Sequence, residues 1–287
     1  MNIVDTHLHL LYPDRIRYPW VSSAPALQGE SSIEMYEALV RPLGVVSALM
    51  MEVDVDERDI EAEIDLVGEL VARDDTFVEG MIAACRPEQT VKEFASFVDG
   101  LAARPFVKGL RRILHQSPDT LSASSPFAEN LNRLASGGYS FDLCVLACQL
   151  APVAVPLVRQ CPDLTFILDH CGVPDIAGGA LESWRQDMRA VAALPNVNCK
   201  ISGIVAYAGP NWTVDTLRPY FEHVIECFGW DRVVWGSDWP VCRLGGDIGR
   251  WIEATRALLE GCSADEQAAL LSKNAQRLYR VNVGHAA

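Results

Sequence analysis

Residues 233–240 read VVWGSDWP, a short run of β-branched and aromatic residues that ends in Ser237 and Asp238. Runs of this length and composition are typical of strands that are buried on both faces, as in a parallel sheet. Seven similar runs occur along the chain. Together the eight runs are 3–10 (IVDTHLHL), 45–52 (VVSALMME), 77–85 (FVEGMIAAC), 106–113 (FVKGLRRI), 140–146 (SFDLCVL), 165–172 (TFILDHCG), 197–204 (VNCKISGI) and 233–240.

Segments with helical periodicity separate these runs, for example residues 60–71 and 91–101, where apolar side chains repeat every three or four positions. Strands that alternate with helices indicate an α/β fold with a parallel sheet. Eight such units in 287 residues predict a single (β/α)8 TIM barrel that forms one domain over residues 1–287.

Two capping boxes mark helix starts, one between the first two runs and one after the eighth. Ser31 and Glu34 precede one apolar face, and Ser263 and Glu266 begin a terminal helix that runs to about Arg280. The terminal helix follows the eighth unit, so we expect an extra C-terminal helix that packs against the barrel and closes it.

Composition excludes several classes of partner. The formal net charge of −14 would repel a phosphate backbone, and no basic run offsets it, so we expect no nucleic-acid partner. No apolar segment has the roughly 20 residues of a membrane span, and the N-terminus lacks a basic leader, so we expect no membrane partner and no signal peptide. Nine scattered cysteines without a CxxC pair favour reduced thiols in the cytoplasm.

His7 and His9 lie two residues apart on the first predicted strand, so both imidazoles point to the same side of the sheet. This spacing suits two metal ligands or two donors to one substrate oxygen, although hydrogen-bonded core histidines show the same pattern. His170 and Asp238 end the sixth and eighth runs. Since barrel enzymes keep their sites at the carboxyl ends of the strands, the four residues predict an active site there.

Longer motifs resemble a known family over almost the whole chain. The chain is similar to the lactonase branch of the amidohydrolase superfamily. This resemblance implies hydrolysis of a cyclic ester, in which Asp238 activates water and the histidines, His170 among them, polarise the carbonyl directly or through one divalent metal. The motifs are HLH at 7–9, YPW at 18–20, VKGLRR at 107–112, DHCGVP at 169–174, CKISG at 199–203, WGSDWPVC at 235–242 and NAQRLY at 274–279.

The metal content follows from departures within this resemblance. Superfamily members with two metals have a carboxylated lysine on strand four and histidines on strands five and six. Here Lys108 lies on strand four, but strand five offers only Asp142. We therefore expect at most one divalent ion, with zinc favoured; metal-independent catalysis is the alternative that the resemblance also allows. The candidate ligands are His7, His9, His170 and Asp238.

Substrate contacts are expected from positive and aromatic residues near the strand ends. Arg111 and Arg112 are adjacent on strand four, so one of them should face the pocket, where it could hold a substrate carboxylate; many relatives have histidine at the position of Arg112. Lys200 and Ser202 share a face of strand seven, and Ser202 also suits a structural hydrogen bond. The substrate-binding candidates are Trp20, Lys108, Arg111, Arg112, Lys200 and Trp239.

The segment between Leu11 and Glu30 follows the first strand without either periodicity, and it is a candidate wall of the pocket because loops after barrel strands form the catalytic face. Tyr18 and Trp20 in this segment suit the floor under a small ring, and equally suit simple packing. His115 follows strand four and either lines the pocket edge or lies exposed. His223 in a helical pattern and His285 near the C-terminus are not site candidates.

Three functional hypotheses arise from these residues. The first is a hydrolase of carboxylic esters that opens a small lactone, preferably the lactone of a sugar acid, with Asp238 as general base. The second is a metal-dependent decarboxylase of an aromatic or muconate-type acid, because sister families share HxH and the strand-eight aspartate. The third is a barrel that binds a ligand without turnover.

Overall fold

The computed structural model describes residues 2–282 and shows eight parallel strands in the order β1 to β8, each paired with the next along the chain. A parallel bridge between Leu8 and Trp239 joins the first strand to the segment after the last. The predicted (β/α)8 barrel is therefore confirmed. The strands are β1 (Ile3–Leu8), β2 (Val45–Met51), β3 (Val78–Ala84), β4 (Val107–Ile113), β5 (Ser140–Cys144), β6 (Phe166–Leu168), β7 (Val197–Ile201) and β8 (Val233–Trp235).

Helices cover the outside of the barrel, and their buried apolar side chains pack against the strands in one continuous core. The helices are α1 (Ile33–Val40), α2 (Ile60–Val71), α3 (Val91–Leu101), α4 (Ser125–Gly137), α5 (Val155–Gln160), α6 (Leu181–Ala192), α7 (Ile204–Tyr207), α8 (Val214–Phe228), α9 (Ile248–Leu258), α10 (Ala264–Ala268) and α11 (Asn274–Tyr279).

One predicted helix cap is wrong. Ser31 exchanges two backbone hydrogen bonds with Leu11, at 3.0 and 2.9 Å, and α1 instead begins after Ser32, whose side chain makes no capping bond. Glu34 pairs with Arg73 rather than reaching back to the cap. The tertiary contact with the first loop thus overrides the local capping pattern.

The second predicted cap is confirmed and positions the C-terminal helix. Ser263 and Glu266 form a full capping box, with bonds of 2.7 and 3.3 Å, and α10, a wide turn at Ala269–Lys273 and α11 continue as one helical segment. Ala275 and Tyr279 pack on inward-facing side chains of the strands, such as Val4 of β1. The terminal helix therefore closes the amino-terminal end of the barrel, opposite the predicted site.

Two findings bear on the remaining expectations. No helix within residues 2–282 has the length and apolarity that a membrane span requires. His223 is buried on α8 with its ring bonded to the Arg185 carbonyl and the Glu226 carboxylate, while His285 lies outside the described residues.

Candidate active site

The carboxyl ends of the strands bring the four predicted polar residues together. The His7 ring centroid lies 4.9 Å from that of His9 and 4.4 Å from that of His170. Asp238 Oδ1 lies 3.4 Å from His9 Nε2 and 3.7 Å from His7 Nε2. All four side chains are buried, so the strands of the barrel converge on one compact cluster, which we call the histidine–aspartate cluster (His7, His9, His170 and Asp238).

The backbone turns sharply where β6 and β8 end, and this turn aims two members of the cluster. His170 has φ 54° and Asp238 has φ 57°, both in the left-handed region that costs non-glycine residues energy. Gly203 lies against both side chains: a β-carbon on it would be 2.3 Å from His170 Nδ1 and 3.1 Å from Asp238 Oδ2. The cluster therefore forms with strained backbone at His170 and Asp238, and it requires glycine at position 203.

Outer hydrogen bonds fix two of the imidazole rings. His9 Nδ1 lies 3.1 Å from the Met51 carbonyl oxygen, which only accepts, so this nitrogen carries the proton and Nε2 is left to face Asp238. His170 Nδ1 lies 2.9 Å from Ser202 Oγ, which gives Ser202 the structural hydrogen bond expected as one alternative. Such outer partners orient the rings of ligating or catalytic histidines.

The cluster fits one divalent ion. His7, His9 and Asp238 offer ligand atoms that lie within 4.8 Å of one another, and His7, Asp169 and His170 form a second such group. Asp238 Oδ2 is buried without a hydrogen-bond partner. Burial lowers the pKa of His7 well below its usual value, which keeps the imidazole in the neutral form that binds metals. Two imidazoles and a carboxylate are ordinary zinc ligands.

A buried network of charges supports the cluster from below. Arg111 Nε donates to Glu52 Oε1 at 2.6 Å, and its Nη1 lies 3.4 Å from Asp169 Oδ2. Lys200 Nζ lies 3.2 Å from Asp169 Oδ1 and also donates to Asp142. Burial lowers the pKa of Lys200, but the two carboxylates outweigh burial and leave this pKa raised, so Lys200 is protonated. Asp169 in turn lies 3.4 Å from His7 Nδ1 and can orient this ring.

The cluster opens into a cavity of about 170 Å³. Trp20 from the first loop lines this cavity, and its Nε1 donates to the Val53 carbonyl at 2.7 Å, so the long loop does form a wall. His115 lines the cavity as well, and burial lowers the pKa of this histidine to about 4. Tyr18 does not reach the cavity; its hydroxyl accepts the Tyr12 N–H at 2.9 Å.

The structure separates the two adjacent arginines. Arg111 is buried and lines the cavity, whereas Arg112 points to the outside of β4 and pairs with Glu88 at 2.9 Å. The expectation that one of the two faces the pocket is therefore met by Arg111, and the placement of Arg112 in the substrate site is corrected because adjacent strand residues face opposite sides.

Three other substrate-binding candidates lie away from the cavity. Lys108 shares the outer face of β4 with Arg112, and its Nζ donates to the Pro105 carbonyl at 3.0 Å. Lys200 does point into the barrel, but it is fully buried beneath the cluster between Asp142 and Asp169. Trp239 is buried with its ring centroid 5.6 Å from that of Tyr36. Lys108, Lys200 and Trp239 are thus structural contacts in this fold rather than walls of the cavity.

Sequence reasoning missed two acidic residues at the site. Glu52 ends the second apolar run and binds Arg111, so it carries the same signal as Asp238, an acid at the end of a buried strand. Asp54 follows two residues later and lines the cavity. Its loop has no periodicity, so no pattern in the sequence could have identified it.

An eight-stranded barrel with histidine and carboxylate side chains gathered at the carboxyl ends of its strands has the architecture of a barrel enzyme. The family model described as amidohydrolase matches residues 4–281, and the chain belongs to this family. The resemblance inferred from the motifs is thereby confirmed.

Relatives of known name include lactone hydrolases. An L-fucono-1,5-lactonase from Burkholderia ambifaria is 34% identical over 194 residues, which are 64% of this chain and 65% of that protein. A 4-sulfomuconolactone hydrolase from Rhizobium radiobacter is 26% identical, with 82% of this chain and 75% of that protein covered. Among solved structures, a Burkholderia multivorans amidohydrolase with bound zinc matches with a TM-score of 0.85 at 24% identity, covering 98% of this chain and all of that one.

Proposed function

We propose that this protein is a lactonase that hydrolyses the cyclic ester of a small, preferably sugar-derived, lactone. The observation that carries the proposal is Asp238. Its carboxylate lies 3.4 Å from His9 Nε2 at the floor of an open cavity, and its second oxygen is buried without a partner. A carboxylate placed in this way can accept a proton from an attacking water, and the lactonases among the relatives support the same reaction.

The residues of this chain divide the reaction between them. Asp238 accepts a proton from the water as its oxygen attacks the carbonyl carbon, and the same carboxyl group later returns the proton to the ring oxygen as the carbon–oxygen bond breaks. His170, which lines the cavity and is held through Nδ1 by Ser202, is placed to stabilise the developing negative charge. Two residues keep the His7 ring in place. Arg111, which is itself held by Glu52, contacts His7 Nε2, and Asp169 contacts His7 Nδ1.

A divalent ion would be held by His7, His9 and Asp238, with zinc proposed because a similar structure binds it. When bound, the ion supplies a Lewis acid that polarises the carbonyl oxygen. The nine free cysteines, most of them buried, support a reducing compartment such as the cytoplasm.

Decarboxylation has less support among the relatives. The named relatives at 34% and 26% identity are lactone hydrolases. We therefore propose attack by water rather than loss of carbon dioxide.

The proposal is tested by a screen of lactones that follows acid release with a pH indicator. The panel contains aldono-1,4- and 1,5-lactones, muconolactones and pyrone carboxylates, and the protein is assayed both after chelation and with zinc added. We expect turnover of at least one aldonolactone. Failure of every lactone with both preparations would refute the proposed function, and full activity after exhaustive chelation would remove the metal from it.

A further inference from the structure

The loop after β2 forms one side of the cavity, and its backbone is held in place by hydrogen bonds. The Val53 N–H donates to Glu63 Oε1 at 3.1 Å and the Val53 carbonyl accepts the Trp20 indole, while the Asp56 N–H bonds the Arg17 carbonyl at 3.0 Å. Between these anchors lies Asp54. The backbone on both sides of Asp54 is thus held by hydrogen bonds.

Asp54 itself takes a conformation that few residues accept. Its φ is 50°, in the left-handed region where aspartate and asparagine are the most tolerated residues after glycine. Its N–H donates to Glu52 Oε2 at 2.8 Å, which stabilises the turn. Within residues 2–282 the carboxylate of Asp54 accepts no hydrogen bond and forms no salt bridge, yet it lines the cavity. Its acceptor oxygens are therefore available to a bound molecule.

The other charges around the cavity make this carboxylate decisive. Arg111 is matched by the carboxylates of Glu52 and Asp169, so it contributes little net positive charge to the cavity. The remaining lining residues with charged side chains, Asp54 and Asp238, are both acidic. Asp238 is engaged with the histidines, which leaves Asp54 as the acidic group that a substrate substituent would meet.

We propose that Asp54 determines the substrate class of this site: it binds the hydroxyl groups of a neutral, polyhydroxylated lactone and repels lactones that carry a carboxylate or sulfonate. This inference rests on the proposed lactonase function. Hydroxyl groups donate charge-assisted hydrogen bonds to a carboxylate, and the Trp20 side chain on the same wall offers an apolar surface to the carbon skeleton of a sugar ring. An anionic substituent would face a carboxylate that, within residues 2–282, forms no salt bridge and lies in a partly desolvated site.

The test compares wild type with Asp54→Asn, since asparagine tolerates the same backbone conformation and removes only the charge. The matched control is Asp65→Asn, an exposed carboxylate on α2 that pairs with Arg104. For a neutral aldonolactone we expect the Asp54 variant to raise KM by about 10-fold, the low end for a hydrogen bond to a charged group, with kcat within about 2-fold. For a muconolactone carboxylate we expect kcat/KM to rise by about 10-fold. The control variant should change neither.

Two further measurements distinguish recognition from a merely structural role. A deoxy aldonolactone should lose the effect of Asp54→Asn, because its missing hydroxyl cannot report on the carboxylate. Added salt should raise kcat/KM for the anionic lactone more in the wild type than in the variant, because salt screens the repulsion by Asp54 as well as that by the net charge of the protein. If Asp54→Asn folds poorly, Asp54→Gly satisfies the same backbone conformation and serves instead.

The outcomes separate this inference from the proposed function. If wild type hydrolyses lactones but Asp54→Asn leaves the preference for neutral over anionic lactones unchanged, the role of Asp54 is overturned and the lactonase function stands. If no lactone is hydrolysed, calorimetric binding of a neutral polyhydroxylated lactam and of its carboxylated analogue decides the matter. Preference for the neutral lactam that the variant loses supports Asp54, and equal binding of both analogues to wild type overturns it.

Discussion

At the scale of single residues, the site is built from conformations and contacts that ordinary packing would avoid. His170 and Asp238 both occupy the left-handed backbone region, and Asp238 Oδ2 is buried without a hydrogen-bond partner. Strain and unsatisfied polar atoms of this kind lower stability, and they persist in folded proteins mainly where they serve a site. Individual substitutions can therefore separate chemistry from stability.

Asp238→Asn separates these two contributions directly. The amide is almost isosteric, so the fold and KM should change little, while kcat should fall by roughly 10²-fold to 10⁴-fold because the general base is lost. The measurement pairs the melting temperature with turnover on the best lactone of the screen. A variant that melts early but retains near-normal turnover per folded molecule would contradict the role of Asp238 as base.

Gly203→Ala tests the close approach that forms the cluster. The added β-carbon would lie 2.3 Å from His170 Nδ1, so the imidazole must move and kcat/KM should fall by at least about 10-fold, as misplacement of catalytic groups does. Gly209→Ala is the matched control, because Gly209 has φ 73° and no atom lies within 4 Å of the place that its added β-carbon would take. Both variants should lose about 1–2 kcal/mol of stability from backbone strain. Equal activity of the two would show that the approach of Gly203 to His170 has no catalytic consequence.

At the scale of strands and helices, hydrophobic pattern predicted the existence of every strand, and the site determined where some of them end. The predicted strands at 165–172 and 233–240 are shorter in the structure, where they span Phe166–Leu168 and Val233–Trp235. The excluded residues are those that turn to carry His170 and Asp238, and composition alone cannot show that turn. The false capping box at Ser31 has a similar cause, a tertiary partner that local sequence does not reveal.

Alternation along β4 separates the side chains that can face the site from those that cannot. On β4, Arg111 faces inward, so Lys108 and Arg112, at odd offsets from it, must both face outward. The period of two therefore excludes Lys108 once Arg111 is assigned to the pocket. The alternation does not show how deep in the barrel an inward-facing side chain lies. Lys200 faces inward as expected, yet it lies beneath the histidine–aspartate cluster and not at the mouth of the barrel.

Helix α2 supplies a test of the loop that carries Asp54. Glu63 is fully buried on this helix, and burial followed by the nearby charge of Glu52 raises its pKa well above the usual value. The unfolded chain ionises Glu63 near pH 4.3, whereas the folded state keeps its proton, so the folded protein loses stability as pH rises above that value.

Glu63→Gln should remove this loss while retaining an acceptor for the Val53 N–H. We expect the melting temperature of the variant to exceed that of wild type by an amount that grows from pH 4 to pH 7. The control is Glu61→Gln. Glu61 lies on the same helix as Glu63, and its exposed carboxylate pairs with Arg104. A difference between variant and wild type that stays constant across this pH range would show that Glu63 is ionised in the folded protein.

At the scale of the whole molecule, the terminal helix and the active site lie at opposite ends of one barrel and are linked through its interior. The Tyr279 hydroxyl donates to Asp142 Oδ2 at 3.1 Å, Asp142 binds Lys200, and Lys200 reaches Asp169 beside His7. Each step joins buried groups, and removal of a partner from such a chain leaves the next group less well satisfied. The closing helix therefore stabilises the charged floor of the site as well as the apolar end of the barrel.

Tyr279→Phe isolates the polar part of this linkage. It removes one donor to Asp142 while the ring still fills the end of the barrel, so the free energy of unfolding in urea should fall by about 1–3 kcal/mol. Tyr279→Ala also empties the space of the ring and should cost about 3–5 kcal/mol. Tyr220→Phe is the control, because Tyr220 packs on Trp184 and, within residues 2–282, its hydroxyl forms no hydrogen bond with protein. If Tyr279→Phe loses no more stability than this control, the hydroxyl does not hold Asp142, and the helix closes the barrel by apolar packing alone.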